Sequence, residues 1–251
     1  MNEEIITSKL RKKICRKAGV TIRDTKMIEA GDHILIGMSG GKDSMILAEV
    51  LADRKAALPF DFKITACHVT VESIGYKANT DRMQQICNKL NIDYIERSIT
   101  IPEEGKEEKG ICFLCSWHRR KALFEAGREL NCNKLALGHH RYDAIETLLI
   151  NMIYHGSFSS MPYSLSMFDG RVKLIRPLLD MDENLLQDYA RQRDFGTEGV
   201  SCEYEDKNRR MEIRKLIHDM ELIHERASIN IYRSMDKVIE EYLPQKKART
   251  S

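Results

Sequence analysis

Short apolar runs and stretches with helical spacing alternate through the first two thirds of the chain. The run His33–Met38 lacks polar alternation, which predicts a strand buried on both faces. After it, Ile46, Leu47, Val50 and Leu51 recur at the spacing of one helix face. The same order continues downstream, with predicted strands at 62–71, 94–99, 134–137 and 174–178 and predicted helices at 81–90 and 119–130. Repeated βα alternation predicts an α/β protein with a doubly wound parallel sheet.

The two ends of the chain differ from this middle part. Residues 8–30 form a charged, helical lead-in, and residues 205–243 contain neither Gly nor Pro and are predicted to be a helix or a helix pair packed on the sheet. Its expected apolar face consists of Leu216, Met220, Ile223, Ala227, Ile231 and Met235. The charge run between 101 and 110 predicts an exposed loop. We expect a basic lead-in at 1–30, an α/β domain at 31–200 and a C-terminal helical extension at 201–251, packed on the same domain.

Composition favours a soluble cytoplasmic protein. The hydrophobic share is 42%, and no stretch approaches the roughly 20 apolar residues of a membrane span. The N-terminus is acidic and lacks an apolar signal region. Seven scattered cysteines form an odd set, which is typical of a reducing compartment.

The net charge of +2 is small but unevenly distributed. Six basic residues occupy the start of the lead-in with no acid between them: Lys9, Arg11, Lys12, Lys13, Arg16 and Lys17. Such a run is either a solvated helix face or a surface that neutralises RNA phosphates. Lys9, Lys12, Lys13 and Arg16 are the candidate RNA-binding residues.

A glycine-rich turn separates the first predicted strand from the first predicted helix of the α/β part. It reads Ser39, Gly40, Gly41, Lys42, Asp43 and Ser44. Backbone N–H groups in such a turn, at the positive end of a helix dipole, bind anions. The turn is not a Walker A loop, because Ile36 and Asp43 stand where that motif has a glycine and a Ser or Thr. We therefore predict a phosphate site of another type.

This hexapeptide after a buried strand resembles the signature of the PP-loop ATP pyrophosphatase superfamily. The resemblance implies an adenine nucleotide alpha-hydrolase-like fold and cleavage of ATP between its α and β phosphates, with AMP attached to a carbonyl or amide oxygen. It implies that Ser39, Gly40, Gly41 and Ser44 cradle pyrophosphate. Lys42 or Asp43 would assist with charge and Mg²⁺, and His68 and Val69 would lie by the adenosine.

Further motifs resemble the tRNA 2-thiocytidine biosynthesis family, in the family's order. They are the segments 26–32, 112–115, 138–141, 161–162 and 175–178, together with Asp143, Glu146 and Thr147. The resemblance implies a tRNA thiolation in which ATP adenylates the C2 oxygen of a pyrimidine, expected to be an anticodon-loop cytidine, and sulfur replaces that oxygen. It implies that ATP also contacts Gly138, His139 and Asp143, and that the catalytic residues are Asp43, Arg119, Asp143 and Cys202. The chain departs from the family at Tyr142, where an aspartate is usual.

Cys112 and Cys115 form a Cys-x-x-Cys pair, which has three readings. It is half of a zinc site completed by His118 and Cys202, a redox pair, or part of an iron–sulfur site. The family resemblance implies the last, a [4Fe-4S] cluster on Cys112, Cys115 and Cys202. Here too the chain departs from the family, since Cys202 is not part of a second Cys-x-x-Cys. The other four cysteines are expected to be buried thiols.

The expected partners are tRNA and a sulfur donor such as a cysteine desulfurase or sulfide, without a membrane and with a homodimer as a further candidate. Arg119 and Arg120 would face the α-phosphate or RNA, or form an exposed helix start. Two alternatives to thiolation remain at this point. One is an amide-forming PP-loop ligase that uses ammonia, and the other is a non-catalytic RNA-binding or cluster-carrier protein.

Overall fold

A computed structural model of the protein describes residues 3–74, 78–102, 110–193, 195 and 209–244. Its centre is a six-stranded sheet with the strand order β3-β2-β1-β4-β6-β5. The strands are β1 His33–Met38, β2 Lys63–Val71, β3 Asp93–Ile99, β4 Lys134–Ala136, β5 Ser164–Met167 and β6 Val172–Ile175.

Eight α-helices surround the sheet in the described part of the chain. They are α1 Glu3–Asp24, α2 Lys42–Ala57, α3 Thr80–Lys89, α4 Ile111–Glu129, α5 Arg141–His155, α6 Glu183–Arg193, α7 Arg209–Ile223 and α8 Ala227–Ser234. A short 3₁₀ helix follows at Glu240–Tyr242.

The predicted doubly wound α/β fold is confirmed, with one addition at its edge. Strand β1 lies in the middle and pairs in parallel with β2 and β4, so that Ile36 faces Ala66 on one side and Ala136 on the other. Strand β5 pairs antiparallel with β6. The sequence did not indicate β5, because the strand is short and half-exposed and carries no buried apolar face.

Hydrophobic clusters cover both faces of the sheet. Side chains alternate along a strand, and Ile34 and Ile36 of β1 pack with residues of α1, α2, α3 and α6 on one face. Leu35 points to the other face, where it packs against Leu123 and neighbouring residues of α4. Burial on both faces explains why β1 is a continuous apolar run.

The start of α4 corrects one prediction. The expected helix began at Arg119, but α4 begins at Ile111, eight residues earlier. Gly110 precedes the helix with φ 75°, a backbone conformation that glycine adopts without strain. Arg119 and Arg120 therefore lie inside a helix and do not form an exposed helix start.

The C-terminal helices form a pair that packs on α5. The expected continuous apolar face is wrong in part, because Leu216 is 37% exposed and Ile223 is 87% exposed. The residues of α7 that are buried against α5 are Ile213 and Ile217. Helix α7 ends at Ile223, and α8 begins at Ala227. This break interrupts the apolar face that the sequence predicted.

In the described part of the chain, no helix combines the length and apolar character needed to cross a membrane. The predicted loop at 101–110 falls mostly outside the described residues.

Candidate functional site

The glycine-rich turn lies at the carboxyl end of β1, in the middle of the sheet. Gly40 has φ 85°, which only glycine adopts without strain. The hydroxyl of Ser44 donates to the carbonyl oxygen of Gly41 at 2.8 Å, and the N–H of Gly41 donates to the hydroxyl of Ser39 at 3.3 Å. These bonds shape the turn so that α2 begins at Lys42 with its N-terminal end at the loop. Such an arrangement suits an anion.

Two charged side chains of the loop form an ion pair that leaves one oxygen without a partner. The ammonium of Lys42 lies 3.0 Å from Oδ2 of Asp43 and 3.9 Å from Oε1 of Glu183. The other oxygen of Asp43, Oδ1, is buried and accepts no hydrogen bond from the described residues. A buried carboxylate oxygen without a donor fits a metal cation, because Mg²⁺ prefers oxygen ligands.

The segment after β4 touches the phosphate loop. A Cβ atom at Gly138 would lie 3.0 Å from the backbone carbon and oxygen of Asp43 and 3.2 Å from the nitrogen of Ser44. A side chain at this position would require the neighbouring loop backbone to shift by a few tenths of an ångström. The two chain segments meet where strand order reverses around β1 and β4, the position at which open α/β sheets bind ligands.

His140 and Asp143 connect the start of α5 to the loop. The backbone N–H of His140 donates to Oδ2 of Asp143 at 2.9 Å. Nε2 of His140 lies 3.9 Å from Oδ2 of Asp43. Burial opposes ionisation of Asp143, but the nearby His140 and His139 and the backbone hydrogen bond outweigh it and lower the pKa of Asp143. The site therefore holds two carboxylates, Asp43 and Asp143, on either side of one imidazole.

His139 is held in its neutral form. Burial lowers its pKa to about 4. Nε of Arg176 lies 3.4 Å from Nδ1 of His139, and Nη1 of Arg176 donates to the carbonyl oxygen of Pro162 at 2.6 Å. Burial, together with the positive charge of Arg120, lowers the pKa of Arg176 to about 10. Arg176 thus keeps its charge near neutral pH and positions the His139 ring.

A cavity of about 190 Å³ opens beside these groups, and we call it the phosphate cavity. Its walls come from the carboxyl ends of β1, β2 and β4 and from α4. The lining residues are Gly37, Met38, Ser39, Cys67, Val69, Ser116, Arg119, Arg120, Leu123, Leu137 and His139. Val69 lines this cavity, and its predicted position beside adenosine stays a prediction. His68 is 1% exposed, and its Nδ1 lies 2.8 Å from the carbonyl oxygen of Met38. A role for His68 beside adenosine stays a prediction.

The Cys-x-x-Cys pair lies in the first two turns of α4. Cys112 and Cys115 are both half-buried. Residues three and four apart share a helix face, so Cys112, Cys115, Ser116 and Arg119 follow one another along the face that reaches the phosphate cavity. Cys202 lies outside the described residues. Within the described ranges, no group of three His, Cys, Asp or Glu residues could hold a metal ion.

The remaining described cysteines are buried thiols, as predicted. They are Cys15, Cys67, Cys87 and Cys132, and burial raises the pKa of each to about 11. A thiol with so high a pKa is a poor nucleophile and a poor metal ligand at neutral pH. The Cys-x-x-Cys pair is set apart from them by its exposure.

Two arginines of α7 reach the site, and the sequence did not single them out. Nη1 of Arg210 lies 3.8 Å from Oδ1 of Asp143. Nε of Arg214 donates to Oε1 of the fully buried Glu146 at 2.5 Å, and its Nη1 lies 3.8 Å from Glu183. The only sequence signal is their spacing of four residues, which places both on one helix face. Their partners Asp143 and Glu146 lie about 70 residues away along the chain and were not predictable from that spacing.

Tyr142 does not take the place of a second aspartate. Its ring packs against the apolar cluster between α5 and α7, and the guanidinium of Arg214 lies 5.7 Å from the ring centre. Burial raises the pKa of Tyr142 to about 12, so the hydroxyl stays protonated. Tyr142 therefore supports the packing of α7.

The basic residues of α1 are exposed. Lys9, Lys12, Lys13 and Arg16 all face solvent, whereas Arg11 is half-buried and pairs with Asp53 at 3.5 Å. The opposite face of α1 is buried in the core through residues such as Ile14 and Ala18. This exposure is compatible with both predictions for the surface, a solvated helix face and an RNA-binding face.

Comparison with known proteins assigns the family. Residues 10–221 match the model of the PP-loop domain. The tRNA-cytidine(32) 2-sulfurtransferase of Polynucleobacter asymbioticus is 34% identical over 239 residues, which are 94% of this chain and 79% of that protein. The chain belongs to the tRNA-cytidine(32) 2-sulfurtransferase family of PP-loop proteins. Another member of this family, from Aeromonas hydrophila, is 37% identical over 197 residues. The matched residues are 77% of this chain and 65% of that protein.

A solved structure supports the fold of this family member. The U34-tRNA thiolase NcsA from Methanococcus maripaludis, solved with its [4Fe-4S] cluster, superposes with a TM-score of 0.77. The match covers 97% of this chain and 86% of that protein at 24% sequence identity. The parallel sheet and its helices are thus shared with an experimentally determined structure.

Proposed function

We propose that this protein is an ATP-dependent tRNA sulfurtransferase that replaces the C2 oxygen of a cytidine with sulfur. The observation that carries the proposal is the position of Cys112 and Cys115. They lie on the same face of α4 as Ser116 and Arg119, which line the phosphate cavity. The half-buried thiols and two residues that line the cavity thus lie on one face of the same helix. The names of the relatives agree with this combination.

The phosphate loop prepares ATP for attack at its α-phosphate. Backbone N–H groups at the N-terminal end of α2 and the ammonium of Lys42 bind the β- and γ-phosphates. The free oxygen Oδ1 of Asp43, with Asp143 nearby, is suited to hold Mg²⁺ on the phosphates. Arg119 lines the same cavity and stabilises the negative charge that develops on the α-phosphate.

The reaction consists of two substitutions. The C2 oxygen of the cytidine attacks the α-phosphorus, the bond to the bridging oxygen breaks, and pyrophosphate leaves. A hydrosulfide then adds to C2, the C2–O bond breaks, and AMP leaves with the oxygen while the sulfur loses its proton to become C=S. No electron is transferred in either step, and the proton released from the sulfur passes to solvent.

Cys112 and Cys115 fit a [4Fe-4S] cluster, with Cys202 as the third ligand. Two thiols one helical turn apart are half-exposed beside the cavity, while the other described cysteines are buried. A cluster held by these three thiolates would supply an iron to which the sulfur donor can bind. The proposed sulfur source is sulfide or a cysteine desulfurase. The proposed site of action is the cytoplasm. A homodimer is the candidate assembly.

The test is anaerobic thiolation of a tRNA transcript with ATP, Mg²⁺ and sulfide, followed by mass spectrometry of the nucleosides. We expect 2-thiocytidine that depends on both ATP and protein. Cys112→Ala, Cys115→Ala and Cys202→Ala should each abolish the product, and Cys132→Ala, which changes a buried thiol, should not. A colourless, air-stable protein with stoichiometric zinc that is lost in His118→Ala would contradict the proposal. That result would favour an ammonia-dependent ligase or a carrier protein.

A further inference from the structure

A second and larger cavity adjoins the phosphate cavity. It has a volume of about 640 Å³ and lies between α4 and the turn that joins β5 to β6. Three aromatic rings line it, those of Trp117, Phe124 and Phe168, and we call it the aromatic cavity. Arg120 lines both cavities, so the two are neighbours. The function proposed above uses only the smaller one.

One wall of the aromatic cavity is a single face of α4. Trp117, Lys121, Phe124 and Arg128 follow one another at intervals of four, three and four residues, which places them in one row along the helix. Trp117 is 49% exposed although it is a large apolar side chain. The ammonium of Lys121 lies 5.7 Å from the centre of its ring, within cation–π distance. This face of α4 therefore alternates aromatic rings with cations.

The opposite wall presents Phe168 from a turn with an unusual backbone. Phe168, Asp169 and Gly170 all have positive φ, at 53°, 58° and 84°. A bulky residue in this region is strained, and such strain is typical of functional sites. The carbonyl oxygen of Phe168 accepts hydrogen bonds from the backbone N–H of Arg171 at 3.2 Å and from its Nε at 3.0 Å. These bonds stabilise the backbone of the turn, and the Phe168 ring is 50% exposed.

The aromatic rings and the charges of the cavity fit a nucleotide. The ring of Phe168 meets that of Phe124 edge-on, with 5.0 Å between ring centres. Four basic residues line the cavity against a single acid, Glu125. The basic residues are Arg120, Lys121, Arg128 and Arg171. Aromatic side chains on which bases stack, combined with cations that bind the backbone, are typical of sites for unpaired RNA.

We propose that the aromatic cavity binds an unpaired nucleotide of the RNA substrate, next to the nucleotide that is adenylated in the phosphate cavity. The base stacks on Trp117 and Phe168, and Arg128 and Arg171 bind the flanking phosphates. This assignment rests on the proposed function, because it takes tRNA as the substrate. It explains why two large aromatic side chains are exposed beside an ATP site.

Trp117 is the only tryptophan of the chain, so its fluorescence reports directly on this cavity. The first measurement is a titration, without ATP, of a stem–loop RNA that has an unpaired loop and of a blunt RNA duplex of equal charge. We expect the stem–loop to quench Trp117 and the duplex to leave its emission unchanged. Equal quenching by both RNAs, or none by either, would overturn the proposal. Quenching by ATP alone that the stem–loop cannot compete with would assign the cavity to adenine and also overturn it.

The second measurement uses a variant that removes a ring and also relieves strain. Phe168→Gly suits the positive φ but loses the ring contact with Phe124, so circular dichroism is used to check that the variant is folded. Stem–loop affinity should drop roughly tenfold, as expected for one lost stacking contact. Phe168→Tyr should bind like the unaltered protein, and so should Tyr242→Ala, which removes a 79% exposed ring elsewhere. Unchanged affinity in Phe168→Gly would refute the assignment of this ring.

Failure of this inference and failure of the proposed function give different results. Fluorescence titration requires no turnover. If the unaltered protein and Phe168→Gly produced 2-thiocytidine equally well and bound the stem–loop equally well, the inference would fall and the function would stand. If the stem–loop RNA quenched Trp117 selectively but no thiolated base formed, the proposed function would be wrong. The cavity would then remain a binding site for unpaired RNA.

Discussion

The phosphate cavity and the aromatic cavity share Arg120 but are built in different ways. The phosphate cavity, of about 190 Å³, is formed by α4 and by the ends of three central strands, with Gly37 in its wall. Beside it, Gly138 closely approaches the backbone of the phosphate loop. The aromatic cavity, of about 640 Å³, is formed by side chains of one helix face and one edge hairpin. Backbone geometry makes the first, and side-chain identity makes the second.

This difference indicates which substitutions each cavity can tolerate. A site made by backbone approach changes when any Cβ atom is inserted, because packed backbone segments cannot move aside independently. A site made by half-exposed side chains changes only in the contact that is removed. We therefore expect variants of the phosphate cavity to lose chemistry and variants of the basic and aromatic surfaces to lose affinity.

The largest effect is expected from Asp43→Ala. It removes the carboxylate whose Oδ1 is available for Mg²⁺, and ATP-dependent AMP formation should fall at least about 100-fold, as is typical when one preorganised charged group is lost. Stem–loop binding should not change, because Asp43 lies outside the aromatic cavity. The measurements are AMP release and Trp117 fluorescence on the same preparation. Asp61→Ala, which alters an exposed carboxylate, is the control, and equal activity in the two variants would contradict the assignment.

A smaller but still large effect is expected from Gly138→Ala. The new Cβ would lie 3.0 Å from the backbone of Asp43, so the phosphate loop must shift. Displacing a reacting group by about 1 Å costs on the order of 100-fold in rate, and we expect a loss between tenfold and that value. Gly127→Ala is the matched control, because its Cβ meets nothing closer than 3.6 Å and lies inside α4. Equal rates in both variants, measured by pyrophosphate release, would show that the loop is not built by backbone contact.

Asp143 and its neighbour Tyr142 should separate catalysis from stability. Asp143→Ala removes a carboxylate beside the phosphate loop and the acceptor for the His140 N–H, so AMP formation should fall roughly tenfold or more. Tyr142→Ala removes packing between α5 and α7, which should cost about 1–2 kcal/mol of stability with little change in rate. Urea unfolding measures the effect of each variant on stability, and AMP release measures its effect on rate. Similar, mild effects on rate from both would place the nucleotide site elsewhere.

The smallest effect on catalysis is expected on α1. Reversing Lys12, Lys13 and Arg16 to glutamate should weaken tRNA binding and reduce the salt dependence of affinity by about one unit of slope per lost phosphate contact. The rate at saturating tRNA should not change, because these residues are exposed. Lys89→Glu, an exposed charge reversal on α3, is the control. An unchanged slope, measured by filter binding at several salt concentrations, would mean that this surface is only solvated.

Local sequence patterns were sufficient for much of the fold and for the phosphate loop. The bounds of β1 were predicted without error, since a strand buried on both faces must be apolar throughout. The start of α4 was missed, because its first turns carry the cysteine pair and Trp117 and show no regular apolar face. Strand β5 was missed for the same reason, since a half-exposed edge strand needs no apolar pattern.

The sequence by itself indicated five of the six strands, the glycine-rich loop with its charged residues, and the Cys-x-x-Cys pair. These features depend on neighbours within a few residues, and short-range patterns record them. Only the tertiary structure decided that Gly138 touches Asp43, that Arg210 and Arg214 reach the carboxylates of α5, and that Phe168 and Trp117 line one cavity. Each of these contacts joins residues about 50 to 100 positions apart. Their meeting depends on how the whole sheet and its helices pack, and no local pattern encodes that packing.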